Sequence, residues 1–249
     1  MNLGLILGAI LLVASPAVAQ GDLNSSPTLN AERRSEQALP RQVVPFDPSH
    51  FDKYTGYYQL GPTTIATVFH DGDHFFSRLT GQINVEFFPE SETKFFATIV
   101  HAQISFNTDG QGQVTELVLH QNGLEQHAPR ISESTAKALE TNLAERVRAN
   151  KPSPGTEEAL KHQIESMESG HRDYSALTPT FASAIKEPEP VILAALSNMG
   201  ALKSIKFHSV TVGGMDTYTV EFERGSTEWY ITPLTTDGKI NGMMWRRVP

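Results

Sequence analysis

The 249-residue chain contains no cysteine. No disulfide can therefore staple it, and metal sites are restricted to histidine and carboxylate ligands. A lipoprotein anchor, which needs a cysteine at the cleavage site, is excluded for the same reason. Basic charge is also scarce: 20 Lys and Arg stand against 28 Asp and Glu, for a net charge of −8. Without a basic stripe, a nucleic-acid partner is excluded, because phosphate binding draws on clustered Lys and Arg. No apolar run reaches the ~20 residues that span a bilayer.

A chemical motif is scarce too. A serine nucleophile activated by a lysine needs that Lys one helical turn from Ser, so that its amine can take the hydroxyl proton. Ser91–Lys94, Ser134–Lys137 and Ser183–Lys186 have that spacing. Three occurrences show how little the spacing carries alone. No Tyr-x-Asn accompanies them, and the Ser105-Phe106-Asn107 triplet falls where a strand runs into its turn. His70-Asp71-Gly72 matches the third hydrolase motif but precedes all three serines. No catalytic residue and no cofactor is assigned. His70-Asp71-Gly72-Asp73-His74 could present two imidazoles to a metal, yet it reads better as a polar hairpin with Asx-type turn residues.

What is present begins with a leader. Leu3 to Val13 is apolar, and Ala17-Val18-Ala19 supplies a small-x-small cleavage site. Residues 1–19 are thus expected to be a secretory signal peptide. The mature protein would be periplasmic or secreted, with no integral membrane segment after cleavage. Residues 20–50, with Pro27, Pro40 and Pro45, read as a disordered linker.

From Phe51 the period becomes two. Strands are predicted at Tyr54–Leu60, Thr64–His70, His74–Leu79, Ile83–Phe88, Lys94–Val100, Ala102–Phe106, Val114–His120 and Leu124–Arg130. Ile65, Thr67 and Phe69 share a face, as do Phe75, Ser77 and Leu79, and again Ile83, Val85 and Phe87. Asp71-Gly72-Asp73, Pro89 to Thr93, Asp109 to Gly112 and Asn122-Gly123 supply the turns. The expectation is a small antiparallel eight-stranded β-barrel, its interior filled by side chains or holding one small ligand. Within it, Tyr54-x-Gly56-x-Tyr58, Gly72-Asp73-x-Phe75, Leu79-Thr80-Gly81-Gln82, Phe88-Pro89-Glu90-Ser91-Glu92, Phe95-Phe96 and Gln121-Asn122-Gly123 carry a resemblance. Residues 51–131 resemble the lipocalin-like accessory domain that follows the catalytic domain of penicillin-binding and β-lactamase-type serine hydrolases. The resemblance implies the fold and an envelope setting, and no chemistry.

A connecting helix is predicted over 132–151, with Leu139, Leu143 and Val147 on one stripe. Lys151-Pro152-Ser153-Pro154-Gly155 breaks it. A second helix starts at Thr156, read as its cap, with Leu160, Ile164 and Met167 as its stripe. Helical pieces at Tyr174–Ile185 and Pro190–Met199 follow, then strands at Ser204–Val212, Thr217–Glu223, Glu228–Leu234 and Ile240–Arg246. Helices before a strand meander make an α+β unit over residues 152–249. Its layout, with Tyr218-x-Val220-x-Phe222, Glu228-Trp229 and Asp237-Gly238-Lys239-Ile240, is similar to the cone-shaped nuclear transport factor 2 fold. That resemblance implies a pocket between sheet and helices. Tyr174, His208, Asp216, Tyr218 and Arg246 are the candidate residues at its mouth. Tyr218, Phe222, Trp229 and Trp245 read as core, Asp216 as serving the Gly213-Gly214 turn, and His208 as an edge residue.

Two function classes follow. One is a non-catalytic periplasmic accessory protein that binds a small ligand or docks on a separately encoded envelope serine hydrolase. The other is a small enzyme, a dehydratase, isomerase or hydrolase, with its site in the C-terminal pocket.

Overall fold

The computed structural model describes residues 41–121, 124–186 and 188–248. The expected signal peptide, most of the expected linker and the Asn122-Gly123 hairpin lie outside the described residues.

Eight strands follow one another around a closed antiparallel barrel. They are β1 (Gly56–Gln59), β2 (Ile65–Asp71), β3 (His74–Leu79), β4 (Val85–Pro89), β5 (Lys94–Ala97), β6 (Ala102–Thr108), β7 (Val114–Gln121) and β8 (Leu124–Ile131). The ring closes where β1 meets β8, through Tyr57↔Ile131 and Tyr58↔Arg130. Closure removes the exposed edges on which an open sheet would aggregate. Period-two patterning sends Phe75 and Ser77 of β3 and Val85 and Phe87 of β4 inward, as expected. On β2 the inward face is instead Ala66 and Val68, while Phe69 stacks outside against Phe76 at 5.4 Å. The larger side chains on that strand pack across the outer surface, so size alone misleads there.

The Tyr54-x-Gly56-x-Tyr58 motif has a physical reading. Tyr58 donates its hydroxyl to Tyr54 O at 2.6 Å, and Tyr54 donates to Glu92 O at 2.7 Å. Gly56 sits at φ +141°, and a Cβ there would lie 3.2 Å from the Arg130 guanidinium. Arg130 in turn donates to Lys53 O, Thr55 O and Val114 O and lies over the Tyr58 ring. A 3-10 turn, Pro48–Lys53, thereby caps this end of the barrel and delivers Phe51 onto Phe75, ring centroids 4.7 Å apart.

From the end of β8 the chain enters α1 (Glu133–Ala149), capped by Ser132, whose hydroxyl accepts from Thr135 N at 3.1 Å. Asn150 ends α1 in the left-handed conformation, and its Oδ1 accepts from Val210 N at 3.1 Å. Next come α2 (Thr156–Glu168), a 3-10 turn (Tyr174–Ala176), α3 (Pro179–Lys186) and α4 (Glu189–Ser197). A four-stranded antiparallel meander completes the chain: β9 (Leu202–Val210), β10 (Asp216–Phe222), β11 (Gly225–Ile231) and β12 (Met243–Arg247), in the order β12-β11-β10-β9. Leu160, Ile164 and Met167 of α2 face Tyr218, Val220 and Trp229 in a hydrophobic cluster separate from the barrel's. The fold is mixed: a closed barrel, then a few helices and a small sheet. The two parts touch where Thr63 donates to Gly213 O at 3.3 Å and Gly81 lies against the Gly213 backbone.

Two glycine substitutions separate backbone conformation from crowding. Gly56→Ala is expected to lower stability by ~1–3 kcal/mol, since it combines a conformation disfavoured for side chains with the Arg130 contact. Gly72, at φ +56° with open space around it, is expected to lose only ~1 kcal/mol on replacement by Ala. Urea unfolding of both variants checks the order.

Candidate functional site

The five residues expected at a C-terminal pocket are not gathered in one place. Asp216 and Tyr218 are fully buried on the inner face of β10. Arg246 neighbours Trp245, which stacks inward on Trp229 at 5.8 Å, so alternation turns Arg246 to the outer face, where it pairs with Glu228. His208 is exposed at the register shift between β9 and β10, and its carbonyl accepts from Asn150. Tyr174 lies on the 3-10 turn, under the Lys186 amine, with its phenol pushed up to about 12 by burial and by Glu189. The space between sheet and helices is filled by Tyr218, Phe222, Trp229, Met167 and Phe181.

Asp216 and Tyr218 belong to a polar knot. Arg146 Nη1 donates to Asp216 Oδ1 at 2.6 Å and to Ser153 Oγ at 2.8 Å, and its second nitrogen reaches Gly214 O. Asp216 Oδ2 accepts from Ser153 N at 2.7 Å and from the Thr156 hydroxyl at 2.8 Å. Thr156 Oγ1 is also 2.8 Å from Tyr218 Oη. Burial, above all, raises the Tyr218 phenol to about 12. Two expectations change here. Asp216 serves the helix-to-sheet junction, and the turn is closed by Gly214 N donating to Thr211 O at 2.9 Å. Thr156 does not cap α2, since Gly155 occupies that position and the Thr156 hydroxyl points inward. Arg146, Ser153 and Thr156 escaped the sequence reading because their partner lies some 60 to 70 positions away.

None of the three serine–lysine spacings joins its hydroxyl to its amine among the described residues. Lys137 pairs with Glu133 at 2.6 Å, while Ser134 Oγ contacts Ser132 Oγ at 2.9 Å. Lys186 leans on Tyr174, and Ser91 lies in the β4–β5 turn, where its backbone N–H donates to Lys94 O. The two hairpin histidines diverge. His70 Nε2 meets Asp52 at 2.9 Å, and His74 Nδ1 meets Glu86 at 2.5 Å. No group of three metal-ligating side chains occurs among the described residues.

A cavity of about 40 Å³ lies instead inside the barrel, at the end opposite the aromatic cap. Its walls include Leu60, Leu79, Val85, Val100, Leu117 and Leu119, with Ser77, Gln82 and Gln121 as polar members. A tight turn sets Gln82 there: its N–H donates to Leu79 O at 2.9 Å, and Gly81 supplies the positive φ of +75° that the third turn position needs. Gln82 Nε2 is buried with no hydrogen-bond partner among the described residues. The sequence reading met Gln82 only within the Leu79-Thr80-Gly81-Gln82 motif and gave it no role, since glutamine beside glycine is ordinarily solvated.

Removing the Asp216 carboxylate leaves Arg146 without its charge partner and the buried Ser153 N–H without its acceptor. Asp216→Ala is expected to cost ~3–5 kcal/mol in urea unfolding, and Tyr218→Phe ~1 kcal/mol. The histidines give a pH signature. Hydrogen bonds from Asp52 and Glu86 raise His70 and His74 above the ordinary value of about 6.5. Burial lowers His120. For the raised pair, the folded state binds protons more tightly than the unfolded one. Their stabilisation is therefore present below about pH 6.5 and is lost as pH rises through the folded midpoints. NMR titration is expected to order the midpoints with His70 and His74 above His120. His70→Gln should lower the urea midpoint more at pH 6 than at pH 9.

A family model described as a domain of unknown function (DUF3471) matches residues 40–135, the barrel with its flanks. Penicillin-binding protein 4* of Bacillus subtilis (strain 168) is 28% identical over 95 residues, covering 38% of this chain. The chain spans 21% of that relative's length. No solved structure matches. The family model rests on the barrel, and the partial similarity to a penicillin-binding protein supports a related module in this chain.

Proposed function

We propose that the chain is a secreted or periplasmic accessory protein that carries out no reaction itself. Its barrel binds a small or extended ligand, or docks on a separately encoded envelope serine hydrolase. One observation carries this reading: the family model matches residues 40–135, the closed barrel with its flanks, while the similarity to a penicillin-binding protein spans only 21% of that relative's length. The separate pairings of Ser134 and Lys137 support it. The apolar run Leu3 to Val13 and the Ala17-Val18-Ala19 site support export. We read the chain as a signal peptide (1–19), a linker (20–50), a lipocalin-like barrel (51–131), a connecting helix (132–151) and a cone-like α+β unit (152–249). The two separate hydrophobic clusters support the last division. The filled interior of the α+β unit gives the enzyme reading no support.

Purified protein is expected to turn over no chromogenic ester, β-lactam or D-amino-acid amide, and Ser134→Ala to behave as wild type. Turnover that disappears in Ser134→Ala overturns the reading. Captured on the protein from envelope extract, a hydrolase labelled by fluorescent penicillin is expected to be retained. Its loss on adding free barrel-bearing protein establishes specificity.

A further inference from the structure

The two ends of the barrel are built differently. Phe46, Phe51, Tyr54, Phe75, Phe95 and Phe106 pack ring on ring at one end. The other end keeps the cavity of about 40 Å³, walled mainly by aliphatic side chains, with Phe87 and the polar Ser77, Gln82 and Gln121 among them. That volume corresponds to about three water molecules, or a branched alkyl group of about three or four carbons.

Two unmatched amide groups lie inside the barrel. Among the described residues, Gln82 Nε2, at the cavity, is a buried donor without an acceptor. Gln126 Oε1 is a buried acceptor without a donor. Gln126 stands opposite Leu119 of the cavity wall and two positions before the wholly buried Ala128, so it shares their inward face. Buried polar atoms of this kind are costly unless something pairs with them. Among the described residues, no Lys, Arg, His, Asp or Glu lines the cavity. A charged guest would lose its hydration with no counter-charge in return. Ile83, 54% exposed, follows Gln82, and Ile99, 64% exposed, precedes Val100 of the wall, giving the mouth an apolar rim.

We propose that this end of the barrel binds a neutral secondary amide carrying a short branched alkyl group. The alkyl group fills the cavity, the amide oxygen accepts from Gln82, and the amide N–H donates to Gln126. The same chemistry occurs in a peptide bond beside a small aliphatic side chain and in a short acylamide. The proposal rests on the barrel being a binding module and deepens that reading by naming the site and the ligand class.

N-methylisobutyramide titrated into the isotopically labelled full-length protein tests it by NMR, with isobutyrate as the charged control. The amide is expected to give saturable shifts at the Gln82 and Gln126 side-chain amides and the Val85 and Val100 methyls. Isobutyrate should leave these signals in place. Gln82→Leu keeps the volume and removes the donor, and it should weaken binding by up to about tenfold. Ala102→Leu fills the cavity from β6 and should abolish the shifts; if it does not fold, Gln82→Leu decides. No saturable shift up to the solubility limit, equal binding of isobutyrate, or unchanged affinity in Gln82→Leu overturns the proposal. An absence of shifts alongside retained hydrolase docking sinks this proposal alone. Ester or β-lactam turnover sinks the accessory reading while the cavity titration stays legible.

Discussion

Arg130 holds the barrel shut, and the rest of the structure is arranged around that fact. The pairing of β1 with β8 extends over only Tyr57↔Ile131 and Tyr58↔Arg130. So short a ladder needs reinforcement from side chains. The guanidinium supplies it by reaching three backbone carbonyls and covering the Tyr58 ring, and a Cβ at Gly56 would crowd it at 3.2 Å. With the ring closed, the 3-10 turn can seat Phe51 on Phe75, and α1 leaves from a fixed point at the end of β8.

Asp216 does for the second part what Arg130 does for the first. Its carboxylate collects Arg146 from α1, Ser153 from the proline-rich connection and Thr156 from the start of α2. The stretch Lys151 to Gly155, whose prolines and glycine read as a simple break, is therefore pinned at its centre. A fully buried carboxylate is tolerable because each oxygen has matched donors, two of them on Oδ2 and a guanidinium on Oδ1.

Period and turn chemistry made the eight barrel strands legible within a few residues of their ends. The β3 segment His74–Leu79 is found as read. Strand β2 shows where such patterning stops: Ile65, Thr67 and Phe69 do share a face, but nothing in the alternation says whether that face looks in or out. The knot at Asp216 and the cavity at Gln82 were harder for a different reason. A buried glutamine or threonine has the same local signature as a solvated one, and only contacts between distant strands tell them apart. Resemblance identified the barrel's relatives; it carried no information about which of its ends is open.

The barrel's first and last strands lie side by side, so the chain arrives and departs at neighbouring points. A module with adjoining ends asks almost nothing of whatever precedes or follows it. It can be spliced onto a large host or carried by a small one without rebuilding either. The likeness of this stretch to a fraction of a much longer protein fits such portability.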